Sequence, residues 1–259
     1  MVFGSKKQQK SHVDNQPSFS IAESMRRDLQ RYSQLRQHQS DESAFKEQLH
    51  LLQQWQIERL KFTHRALLQS PSYQAPTEFI LTEVYGGIDL SELVGQIERA
   101  MTKALKLFPE KVMGTAALAL EFNALTAELD EAMAEILFED FKVTAIDSDA
   151  YVSAYRQLDN FSVRRRQIEL GDKLAKNIDK YVQSKLLFGA FKVAKKPAMA
   201  SGYGALYGFM ERGFEVLRPI DSTHKLLSMI AEPETSFVSR IEQGDNNPYD
   251  LDSTTQIAI

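Results

Sequence analysis

The chain reads as an all-α protein: a single multi-helix bundle built round one long central helix, about 110–141. Three observations carry that reading. Leu118, Phe122, Leu125, Leu129, Ala132 and Ile136 step by alternating four and three, which is one face of a helix. Met113, Ala116, Leu120 and Ala124 make the other side of its first half apolar too, as in a helix wrapped by neighbours. Strict apolar–polar alternation, the mark of a half-buried strand, is missing throughout.

The elements follow in order. Residues 1–19 are polar and lack an apolar signal-peptide core, and are expected to be a disordered arm. Ser20 with Glu23 forms a capping box for a first helix whose inner face is Met25, Leu29, Tyr32 and Leu35. A break is expected at Gln37 to Ser40. Asp41 then caps a second helix to about Gln69, with Phe45, Leu49, Leu52, Trp55 and Leu60 inward. Pro76 opens a short helix closed by Gly86 and Gly87. At 100° per residue, Glu83 falls inside the apolar arc of Phe79, Ile80, Leu81, Val84 and Tyr85, where a carboxylate needs a partner.

Asp89 with Glu92 starts a helix to about Leu107, and Pro109 opens the central one. Asp147 or Ser148 caps a short helix carrying Tyr151, Tyr155 and Leu158. A long helix over about 161–194 is expected to form a hairpin with the central helix, and Lys195-Lys196-Pro197 to end it. Gly204 and Gly208 notch a helix that packs closely on another. Asp221 caps a last short helix, and residues 231–259 read as a disordered acidic tail, so the helical domain spans 20–230.

The segment TEFILTEVY resembles the signature of the bacterial "FFLEELY motif" proteins, an uncharacterised family. Phe79, Leu81, Glu83 and Tyr85 match it, and Ile80, Thr82 and Val84 depart from it. Asp89, Phe108-Pro109, Leu125 to Asp130, Arg166-Gln167-Ile168, Lys196-Pro197 and Gly202 to Phe214 fit the same pattern. The resemblance covers about residues 77–230 and implies a shared helical fold. It implies no activity.

Composition narrows function by exclusion. With no cysteine there is neither disulfide nor thiolate chemistry. A net charge of −4 gives no basic excess, and no sequence-specific nucleic-acid reader is recognisable. No run of eighteen apolar residues exists, so no membrane span is expected, and a cytoplasmic protein without cofactor or metal is the reading. The lone Glu47-x-x-His50 pair falls short of a di-iron set.

Two charge features remain. Residues 121–149 carry nine acids and one lysine, with Glu121, Glu128 and Glu135 in heptad register. Residues 156–196 carry eleven Lys or Arg against four acids. Arg164, Arg165, Arg166, Lys173, Lys176 and Lys180 are the candidates for binding an anion, and pairing with the acidic stripe is the competing account. Glu83, Tyr85, Glu121 and Asn123 are the candidates for lining a ligand pocket. No catalytic constellation assembles at defined spacing. The leading expectation is a non-catalytic helical interaction or scaffold protein with a protein partner or self-association. The alternative is a binding protein or enzyme for a hydrophobic or anionic small molecule near Glu83. A peripheral anionic surface is a third partner.

Overall fold

The computed structural model describes residues 20–41, 43–85 and 91–249, and among these every regular element is helical. The first elements are α1 (Ile21–Asp41), α2 (Ser43–Thr63), α3 (Arg65–Leu68) and α4 (Gln74–Phe79). Then come α5 (Ser91–Leu107), α6 (Glu110–Ala134), α7 (Ser148–Leu158) and α8 (Phe161–Val182). The last three are α9 (Lys185–Ala200), α10 (Gly204–Leu217) and α11 (Thr223–Glu242). The expected arm 1–19, residues 250–259 of the expected tail 231–259, and the turn at Gly86, Gly87 and Asp89 lie outside the described residues.

Helix α6 is the hub, and α1, α2, α5, α7 and α8 all touch it. Phe122, Ala124, Leu125, Leu129, Met133 and Ala134 are buried along it, while Leu118 and Ile136 are half-buried. Its start follows from Pro109, whose extended backbone (ψ 146°) puts it at the N-cap. Helix α8 runs antiparallel to α6: Thr115 meets Tyr181 at one end, and Thr126 meets Gln167 towards the other. The expected hairpin is therefore present, though shortened.

The chain departs from the sequence reading at several helix boundaries. Helix α1 continues through the expected break at 37–40 to Asp41, so Asp41 ends a helix and does not start one. The expected helix over 161–194 is two. It breaks at Gln183-Ser184, where the Ser184 hydroxyl caps α9 by accepting from the Leu187 N–H at 3.3 Å. Pro197 then lies inside α9 and does not end it. Ser222, not Asp221, caps the last helix, accepting from the Lys225 N–H at 3.1 Å.

The largest correction concerns residues 231–242. They were expected to belong to a disordered tail, yet α11 continues through Pro233 to Glu242. A proline inside a helix costs about 3 kcal/mol. Burial of Phe237, Val238 and Ile241 against Phe45, Trp55, Tyr155 and Phe161 offsets it, since each large apolar side chain contributes about 1.5–3 kcal/mol. Helix α11 packs along α8, and Asp179 anchors its start by accepting from the Thr223 N–H at 2.6 Å.

The expected glycine notch sits elsewhere on α10. A Cβ on Gly204 or Gly208 would meet only side chains of Met199 or Arg212. A Cβ on Gly213 would come within 3.3 Å of the Phe79 ring, and that is where α10 approaches α4 closely.

Candidate functional site

Each helix round the lower half of α6 turns part of its inner face, polar and apolar together, to a common space. Gln56 and Arg59 come from α2, Thr126 and Asp130 from α6, Tyr151 and Tyr155 from α7, Arg164 and Gln167 from α8, and Ala231 and Glu234 from α11. Every one of these pairs is three or four residues apart, one turn on one face. With Tyr85 they line a cavity of about 70 Å³.

One side of the cavity carries a cluster round Glu234. Arg59 and His64, both buried on the α2 side, converge on Glu234 of α11. The Arg59 guanidinium lies 2.5 Å from one Glu234 oxygen and 2.6 Å from the other, and His64 Nε2 lies 3.2 Å away. Burial by itself would raise the Glu234 pKa. The Arg59 charge and the contacts from His64 and Arg59 outweigh it and hold the carboxyl at about 2.

The other side is open-ended. Arg164 is buried, its guanidinium 4.6 Å above the Tyr155 ring, with Nε and Nη2 making no hydrogen bond among the described residues. Tyr85 packs edge-on against Phe122, with the ring centroids 5.4 Å apart. Its hydroxyl occupies space that only a glycine leaves: a Cβ on Gly171 would sit 3.0 Å from it. Burial pushes the Tyr155 ionisation up to about 12 and raises that of Tyr85 as well.

The sequence-predicted site residues do not share one place. Glu83 is half-buried outside the cavity wall, in a forked pair with Arg212 at 2.7–3.1 Å, and not with an arginine of residues 156–166. The physical reason is the winding: after α4 the chain forms a π-turn over Ile80–Val84, closed by Tyr85 N–H to Ile80 C=O at 3.0 Å. Extra backbone per turn rotates Glu83 out of the apolar arc that a 100° step gives. Glu121 pairs with Arg166, and the Asn123 amide donates to the Ala119 carbonyl at 2.8 Å. Of these four, Tyr85 lines the cavity.

The basic candidates divide as well. Arg164 is buried in the cavity wall. Arg165 pairs with Glu242 and Lys176 with Asp172 at 2.6 Å. Lys173 and Lys180 are exposed. The acidic stripe is shared out: Glu121 to α8 but Glu128 to Arg31 of α1, at 2.5 Å. Opposite charges on α6 and α8 therefore meet at Glu121 and Arg166.

Arg59 and Glu234 were missed. Arg59 stands four residues after Trp55 on the buried face of α2, the same sign that drew attention to Glu83. Glu234 was hidden behind Pro233.

A second feature lies outside the cavity. Helix α9 has no buried residue, and Leu186 and Val193 are 82% and 80% exposed. They stand seven residues apart and so on one face, with Ala190 and Pro197 in the same strip. Phe188 and Phe191 face inward, against Phe214. Lys185, Lys192 and Lys196 line one border of the strip, and α9 contains no acid.

A family model described as a domain of unknown function matches residues 34–248. The chain belongs to the DUF8198 family. The matched span contains every residue that carries the resemblance to the "FFLEELY motif" proteins, and it includes all of α11 and the whole cavity wall. The DUF8198 description assigns no activity, and the motif name remains a resemblance. No curated protein and no solved structure matches the chain. Among the described residues of this DUF8198 chain, no helix is long and apolar enough to cross a membrane. Nor does any group of three or more His, Asp or Glu stand ready for a metal ion.

Proposed function

We propose that this chain is a non-catalytic interaction protein of the cytoplasm, and that α9 is its docking element, seated on an anionic phospholipid surface. The observation that carries the reading is the apolar strip of Leu186 and Val193, left more than three-quarters exposed beside three lysines. Each such side chain gains about 1.5–3 kcal/mol on leaving water. Each lysine near an anionic headgroup layer adds about 1 kcal/mol. A helix with lysines bordering an apolar face lies in the interface plane while the ammonium groups reach outward. Self-association through α9 would set like charges against each other, which favours the lipid over a second copy.

Co-sedimentation of the full chain with vesicles tests this. Binding to phosphatidylserine-containing vesicles, absence of binding to pure phosphatidylcholine, and weakening with salt are expected. The double variant Leu186→Glu, Val193→Glu is expected to lose binding while keeping its thermal midpoint, because both residues face outward. Failure of the full chain to bind anionic vesicles, or undiminished binding of the variant, overturns the reading. A dimer in sedimentation that the variant abolishes would assign α9 to a contact between copies.

A further inference from the structure

We infer that the cavity between α2, α6, α7, α8 and α11 is a binding site for a small oxyanion, held by the Arg164 guanidinium with the Tyr85 and Tyr155 hydroxyls. The site is independent of α9.

Arg164 is the anomaly that leads there. The residue is 6% exposed, and among the described residues it has no ion-pair partner and its Nε and Nη2 have no acceptor. A buried guanidinium normally has a carboxylate. The two acidic groups of the cavity wall are engaged elsewhere. Glu234 is held by Arg59 and His64, and Asp130 accepts from the Gln53 amide at 3.3 Å. Tyr155 covers one face of the guanidinium plane. A guanidinium without a carboxylate of its own is suited to an oxygen of a carboxylate or phosphate.

Two further donors point the same way. Tyr85 and Tyr155 line the cavity, and no hydrogen bond from either hydroxyl is found among the described residues. Their raised ionisation keeps the protons on at neutral pH, so both are available to donate. Arg164, Tyr85 and Tyr155 are thus in the wall of one space of about 70 Å³. That is well above the roughly 10–15 Å³ that a single water needs, and it limits the occupant to a molecule of few heavy atoms.

The test is titration of the full chain with inorganic phosphate, with acetate and with neutral acetamide, at constant ionic strength, by calorimetry and thermal midpoint. Saturable binding of at least one of the two anions is expected, with none of acetamide. Tyr85→Phe removes one O–H and keeps the ring, and is expected to weaken binding by about tenfold. Arg164→Gln is expected to abolish it, and Lys173→Gln with Lys180→Gln to leave it unchanged. Absence of saturable binding of either anion overturns the inference, as does equal binding of acetamide or unchanged affinity in Arg164→Gln. Should Arg164→Gln fail to fold, Tyr85→Phe decides: unchanged affinity there also overturns it.

Discussion

Glu83 and Glu234 show how differently two carboxylate–arginine pairs weigh. Glu83 and Arg212 have side chains 27% and 53% exposed, so water screens the pair and it contributes less than about 1 kcal/mol. Glu234 and Arg59 are 12% and 8% exposed, and losing one partner strands a buried charge at about 3–5 kcal/mol. The Glu234 pKa, held at about 2 in the fold, lies below an unfolded value of about 4.3. Its stabilisation is therefore complete above that unfolded value and is lost as pH falls towards 2. Thermal unfolding from pH 7 to 2 is expected to show a midpoint steady down to about pH 5, then falling. In Glu234→Gln the midpoint should be lower at pH 7, and that part of the acid loss should vanish. Equal pH profiles in the two proteins would dismiss the cluster as a stabilising unit.

Helix boundaries turn on local chemistry that periodicity cannot report. Leu170, Leu174, Ile178, Tyr181 and Phe188 keep helical spacing across Gln183-Ser184, so the pattern reads as one helix. The Ser184 cap divides it, and that division leaves the outward face of α9 uncovered. Ser184→Ala is expected to lower stability by about 1 kcal/mol, measured by denaturant unfolding, because the Leu187 N–H loses its acceptor. A change within error would mean that the break is set by packing of α9 on α10 and not by the cap. The π-turn over Ile80–Val84 is the same kind of event: one extra residue in a turn carries Glu83 outside the cavity wall and leaves Tyr85 facing Gly171.

The molecule closes through its last helix. Phe237, Val238 and Ile241 share a buried cluster with Phe45, Leu49, Trp55, Met133 and Tyr151, so α11 joins α2, α6 and α7 in one core. Removal of residues 231–259 is expected to abolish cooperative unfolding, whereas removal of 250–259 should leave the midpoint in place. Circular dichroism melts of the two truncations distinguish the outcomes. A folded, cooperative 1–230 fragment would contradict the role given to α11.

The all-helical class, the hub over 110–141 and most of its buried partners were legible because apolar spacing of three and four is written along the chain and needs no distant residue to be read. Membership of the cavity was not legible. Arg59, Arg164 and Glu234 come from three helices far apart in sequence, and each looks ordinary beside its own neighbours. Their meaning lies in which charges end up within hydrogen-bond reach after packing. Burial then gives Arg59 a carboxylate and leaves Arg164 Nε and Nη2 without an acceptor among the described residues.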